Sequence, residues 1–107
     1  MYIVVLMTCP NADEAKTIVD TLLNEKLIAC ANLVNPVRSL YWWDGKVNSD
    51  EEVLVVMKTR QDLFAGLEKT VKPLHSYSVP EIIALPIAAG NQDYLDWIDQ
   101  STGGNEG

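Results

Sequence analysis

The 107-residue chain has little of what marks an enzyme or a nucleic-acid binder: one histidine, one phenylalanine and two cysteines. It contains no Gly-rich phosphate loop, no Gly-x-Ser-x-Gly and no His-Glu-x-x-His, so the chemistries those motifs carry have no vehicle here. Lysine and arginine number 8 against 15 acidic residues, a net charge of −7 that disfavours nucleic acid and anionic membrane alike. No apolar run approaches the roughly 20 residues of a membrane span, and no basic-then-apolar leader opens the chain. Cys9 and Cys30 match no zinc spacing, so free thiols in a reducing cytoplasm are expected. Residues 1–102 read as a single domain and 103–107 as a flexible tail, with three glycines and no apolar residue from Ser101 onward. The expectation is a binding module, not an enzyme.

What is present is concentrated in Leu40-Tyr41-Trp42-Trp43-Asp44-Gly45-Lys46. Asp-Gly after four bulky residues signals a hairpin turn, because both central positions of a type I′ turn need positive φ. The stretch from Ile28 to Trp43 reads as extended, and at about 3.3 Å per residue it spans roughly 50 Å. A domain of this size is only about 35 Å across. The ribbon therefore bends, overhangs, or both, with a bulge expected at Asn35-Pro36 and a second irregularity in Asn48–Glu52. An overhang tipped with Tyr41, Trp42 and Trp43 predicts burial in a partner, most simply in copies of the same chain.

Around that hairpin the elements follow in order. Tyr2–Thr8 is a β-branched run expected to be a central strand buried on both faces. Asn11 caps a helix to Lys26, with Glu14 completing a capping-box-like pair. Val53–Met57 is a second buried strand, directly followed by Lys58. Thr59 is expected as the cap of a second amphipathic helix carrying Leu63, Leu67, Val71 and Leu74. Residues 75–81 form a loop, Ile82–Ile87 a strand that Pro86 places at an edge or bulge, and Asn91 caps a third helix. Strand, helix, strand, strand, helix, strand predicts an α+β ferredoxin-like βαββαβ sandwich, with a long β2–β3 hairpin and an extra C-terminal helix.

With these residues laid out, the chain resembles the CutA family, named for divalent-cation tolerance. The likeness covers Ile3 to Thr102 and is carried by Glu25–Asn32, Ser39–Lys46, Val79-Pro80-Glu81-Ile82-Ile83 and Asp93-Tyr94-Leu95-Asp96-Trp97. It implies a tight homotrimer in which the long hairpins pair between subunits and clefts form where subunits meet, an assembly like that of the PII signalling proteins. It also implies a link to copper and other divalent cations. Some members carry a cysteine near the end of the first strand and a His-His-Pro-Tyr run after the second helix; here Met7 and Leu74-His75-Ser76-Tyr77 stand in those places.

Two sets of candidate residues follow. His75, Cys9 and Cys30 are the candidate ligands for copper or another divalent cation, since imidazole and thiolate suit such metals. Cys30, Trp42, Trp43, Lys58, His75, Tyr77, Glu81 and Trp97 are the candidate lining of a cleft for a small polar or zwitterionic molecule. In that cleft Lys58 would meet an anionic group, and Glu81 a cationic or hydroxyl group. The plainer readings are a helix-end histidine, buried small thiols, a Lys58–Glu81 ion pair and tryptophans that anchor a core or interface. The function expected is a homotrimeric PII-like module binding a small ligand, with divalent-metal tolerance as the alternative.

Overall fold

The computed structural model describes residues 1–103; of the expected tail, residues 104–107 lie outside the described residues. The first strand, β1 (Tyr2–Cys9), sits inside a four-stranded antiparallel sheet of order β2-β3-β1-β4. The other strands are β2 (Cys30–Trp43), β3 (Lys46–Arg60) and β4 (Ile82–Pro86). Helices α1 (Ala12–Asn24) and α2 (Phe64–Leu74) form the connections, and α3 (Gln92–Ser101) follows β4. This is the expected ferredoxin-like α+β fold.

One face of the sheet makes the core. Ile3, Val5, Met7 and Cys9 of β1 alternate inward beside Val53, Val55 and Met57 of β3. Against them pack Ala15, Ile18, Val19 and Leu22 of α1 and Leu67 and Val71 of α2, the apolar faces that helical spacing requires. The opposite face of β1 (Tyr2, Val4, Leu6, Thr8) is only half-buried, which corrects the expectation of a strand covered on both sides. The physical reason is that the cover on that side is α3, which buries Ile98 fully and leaves Tyr94 and Trp97 about two-fifths exposed.

Local rules account for most ends. Asn11 Oδ1 accepts the Glu14 N–H at 2.9 Å and Asn91 Oδ1 the Tyr94 N–H at 3.1 Å. Asp44 and Gly45 both take positive φ, as the two-residue hairpin turn demands. Pro86 lies in the edge strand β4, where a missing donor costs no ladder bond.

Thr59 is not a helix cap. It is the penultimate residue of β3, fully buried, and its hydroxyl donates to the Leu27 carbonyl at 2.7 Å. Arg60 occupies the cap position of a short 3-10 turn (Gln61–Leu63) with no side-chain bond. The strand simply outlasts the capping pattern, because the Tyr2↔Arg60 and Ile3↔Thr59 pairs continue the ladder.

The ribbon overhangs as expected: the molecule measures 49 × 27 × 22 Å. Val34 pairs with Leu54 but Val37 with Glu52, so Asn35 and Pro36 oppose Val53 alone, a bulge on β2. The expected second irregularity is absent, since β3 pairs without a break from Lys46 to Glu52. The bulge resets the pleat. Beyond it, Ser39, Tyr41 and Trp43 share one face of the ribbon, and Arg38, Leu40 and Trp42 share the other.

Candidate functional site

The end of β1 brings together a set of metal-capable donors. Cys9 leads through Pro10 into α1, whose N-terminal turn places Glu14 beside the strand end. Chain reversal after α2 returns His75 to the same point. One ligand atom each from Cys9, Glu14 and His75 lies within 4.8 Å of the other two.

The imidazole is fixed by its neighbours. Nε2 lies 2.7 Å from the Thr8 carbonyl, which can only accept, and Nδ1 lies 3.1 Å from the Tyr77 backbone N–H, which can only donate. Nε2 therefore carries the hydrogen, and the Nδ1 lone pair accepts the Tyr77 N–H, with Glu14 Oε2 3.5 Å from the same nitrogen. Glu14 Oε2 in turn accepts from the Ser76 N–H and hydroxyl, both at 3.0 Å. Glu14 thus does not close a reciprocal capping box; its carboxylate is spent on the 75–81 loop. The Cys9 thiol is fully buried. Burial, then the charges of Glu14 and Glu52, push its pKa up to about 12, so it stands as a neutral thiol.

Beside this cluster a cleft of about 670 Å³ opens between the base of the ribbon and the 75–81 loop. Thr8, Tyr41, Trp43, Glu52, Tyr77 and Glu81 are among its walls. Tyr77 donates its hydroxyl to Glu52 Oε2 at 2.7 Å, and Tyr41 donates to Asp50. Both phenols are held above their ordinary pKa, Tyr77 by burial and then its bond to Glu52, Tyr41 chiefly by its bond to Asp50. Arg38 stands at the rim, its guanidinium turned to Ser49 and Glu51 at 3.3 and 3.5 Å.

The sequence-predicted residues divide into three places. Cys9 and His75 meet in the donor cluster, which also recruits Glu14. Trp43, Tyr77 and Glu81 line the cleft, while Trp42 points to the opposite face of the ribbon. Cys30, Lys58 and Trp97 lie elsewhere. Cys30 is the cross-strand partner of Lys58, its sulfur sits 3.4 Å from the Tyr94 hydroxyl, and the Tyr94 ring packs on Trp97 with centroids 5.3 Å apart. That contact with Cys30, together with burial, pushes the Tyr94 pKa up to about 12.

Lys58 pairs with Val4 and Val53 with Cys9, so Lys58 is five residues, about 17 Å, along the sheet from the donor cluster. Its ammonium donates to Asn32 Oδ1, so it makes no pair with Glu81 and stands apart from the cleft.

Two residues that matter here, Glu14 and Glu52, were missed. Glu14 was legible in principle, because it stands with Asp13 in the first turn of the helix that Cys9-Pro10 leads into, close to that cysteine along the chain. Nothing local marks Glu52, which reaches the cleft through the bulge register.

The chain is similar to known proteins over most of its length. Residues 3–101 match the family model described as CutA1 divalent ion tolerance protein. A rice protein named Protein CutA 1, chloroplastic, is 48% identical over 94% of this chain, which spans 56% of that relative's length. The divalent-cation tolerance protein CutA of Thermus thermophilus is 49% identical over 94% of this chain and 97% of its own. A solved structure of the Thermus protein superposes with a TM-score of 0.93 at 48% identity, covering 96% of this chain and 100% of that one. A structure titled as the periplasmic CutA of Archaeoglobus fulgidus gives a TM-score of 0.92 at 40% identity, covering 95% and 99%. Relatives thus carry chloroplastic and periplasmic names, and no helix among the described residues is long and apolar enough to cross a membrane. On a family match that runs nearly the whole length of the domain, the chain belongs to the CutA1 divalent ion tolerance family.

Proposed function

We propose that this chain serves divalent-cation tolerance by holding a cation on Cys9, Glu14 and His75, and that it does so as a cytoplasmic homotrimer. The observation that carries the reading is the convergence of a thiol, a carboxylate and an imidazole within 4.8 Å. The donor types fit the group, and Nδ1, which accepts the Tyr77 N–H, would exchange that bond for the ion. A ligating histidine ordinarily donates its other ring N–H to a carbonyl, and His75 does so to Thr8. A sulfur, nitrogen and oxygen set suits the copper-to-zinc range and not calcium or magnesium. Cation uptake at Cys9 expels the thiol proton. Cys30, the other thiol candidate, is too distant to contribute.

The test is a Co²⁺ titration, read by thiolate-to-metal charge-transfer absorption and by proton release. One ion per chain is expected, with one proton released, the band absent from a folded Cys9→Ser and the affinity at least tenfold lower in Glu14→Gln. Saturable binding unchanged in both variants overturns the site.

Assembly is supported by the outer ribbon face: Leu40, Trp42 and Val47 are 68%, 75% and 55% exposed and lie together. Light scattering is expected to give three chains per particle, and Trp42→Glu to give smaller species. A wild-type monomer stable at micromolar concentration overturns this part.

A second reading has its own observation. The cleft beside Tyr77 is large enough for a small molecule and mixes aromatic rings with hydroxyl and charged groups, a lining that suits the small polar ligand of a PII-like module.

A further inference from the structure

A cleft between subunits was expected to offer an ammonium and a carboxylate to a zwitterion, whereas the cleft bounded by the ribbon and the 75–81 loop lies within one chain. Lys58 of the same chain does not reach this cleft, since it belongs to the other end of the sheet. The balance of charge inside the cleft then changes sign. Glu52 is nearly buried, at 8% exposure, and Glu81 stands in the opposite wall. Arg38, the one cationic residue among the lining, directs its guanidinium to Glu51 and Ser49. Those partners lie on the ribbon face of Leu40 and Trp42, not on that of Tyr41 and Trp43.

Three aromatic rings, Tyr41, Trp43 and Tyr77, stand in the walls together with Leu40, Val79 and two serines. Such ring faces attract cations through their quadrupole, most strongly for tryptophan and most of all where water is thinned. Both lining phenols are hydrogen-bonded as donors to carboxylates and are held as neutral hydroxyls, so they add no negative charge of their own. Inorganic cations gain little from rings, whereas a bulky, weakly hydrated ammonium gains from rings and carboxylates together. The volume, about 670 Å³, accommodates a molecule well beyond a bare ion.

We propose that this cleft binds a small organic ammonium cation, seated against Tyr41, Trp43 and Tyr77 and neutralised by Glu52 and Glu81. The proposal rests on the reading of the cleft as a small-ligand site and names the class of ligand. It uses none of the three donors, although it adjoins them: Tyr77 packs on His75 and gives its N–H to Nδ1, while Thr8 lines the cleft and Cys9 faces the core. It is also compatible with assembly through Trp42 and Val47, which project from the far side of the ribbon, whereas Leu40 of that face also edges the cleft.

The experiment uses a full-length Trp42→Phe, Trp97→Phe protein, in which Trp43 is the sole indole and reports from the cleft wall. Choline is titrated against its neutral isostere 3,3-dimethylbutan-1-ol, with acetate as the anionic control. A saturable Trp43 fluorescence change with choline at millimolar concentration or below is expected. The alcohol should need at least tenfold more, and Glu81→Gln should weaken choline about tenfold without altering particle mass. If the alcohol or acetate binds as well as choline, or Glu81→Gln binds choline unchanged, the ammonium assignment is overturned while the cleft stands as a ligand site. If none of the three perturbs Trp43, as would follow were a neighbouring copy to fill the cleft, both readings fall.

Discussion

Replacing Tyr77 by phenylalanine removes one oxygen and keeps the ring, including its packing on His75 at a centroid distance of 4.8 Å. What is lost is the 2.7 Å bond to Glu52, a carboxylate that is 8% exposed and has no other hydrogen bond described. A bond to a charged group is worth about 1.5–3 kcal/mol net, and a buried partner left unmatched adds its desolvation to the loss. Tyr77 itself is only half-buried, which admits water to the gap and places the expected cost near the lower end, about 1.5–2 kcal/mol. For a domain of about 100 residues, 1 kcal/mol moves the melting midpoint by about 4–8 °C, so a fall on the order of 10 °C is expected by calorimetry at fixed protein concentration. The control is Tyr41→Phe, whose bond to Asp50 joins exposed groups and should leave the midpoint where it is. A Tyr77→Phe midpoint within 1 °C of the parent would refute the claim that this bond latches the 75–81 loop to the ribbon.

Two further outcomes follow from burial. Thr59→Val should cost about 1–2 kcal/mol in urea unfolding, because it keeps the shape and strands the Leu27 carbonyl, whereas Thr59→Ser should restore most of it; equal stability of all three would show the bond to be dispensable. Iodoacetamide at pH 8 should add one label per native chain, at the partly exposed Cys30, and a second only in denaturant, as read by intact mass; native labelling of Cys9 would contradict its burial and its pKa of about 12.

Much of the fold was legible because its signals are local. Asn11 and Asn91 cap helices through bonds to the third residue on, and Asp44-Gly45 turns the hairpin with the φ values its letters imply. Thr59 shows where local grammar fails. A threonine three residues before an aspartate reads as a cap whether or not the strand has ended, and only the ladder to Tyr2 and Ile3 decides. Of the candidate site, His75 and Cys9 were legible as the scarce ligating types, and Glu14 was hidden by the capping role its position suggests. Lys58 and Glu81 both adjoin strand ends, yet within one chain they stand apart. Antiparallel order puts the end of β3 beside the start of β1 and the start of β4 beside the end of β1, so those ends are far apart.

The bulge at Asn35-Pro36 also works as a reserve of length. Because two residues there oppose Val53 alone, the chain can lose one of them with every pair on either side preserved, from Cys30↔Lys58 to Val34↔Leu54 and from Val37↔Glu52 to Trp43↔Lys46. A residue lost between Val37 and Trp43 can be made up by sliding the spare position outward, although Pro36 then enters the ladder without a donor. A strand paired one-to-one has no such slack: one deletion would turn its remaining side chains through to the other face. Shortening the ribbon by one residue at the bulge should therefore be the inexpensive length change, leaving Tyr41 and Trp43 in the cleft and Trp42 outside it, whereas lengthening it would demand a second bulge.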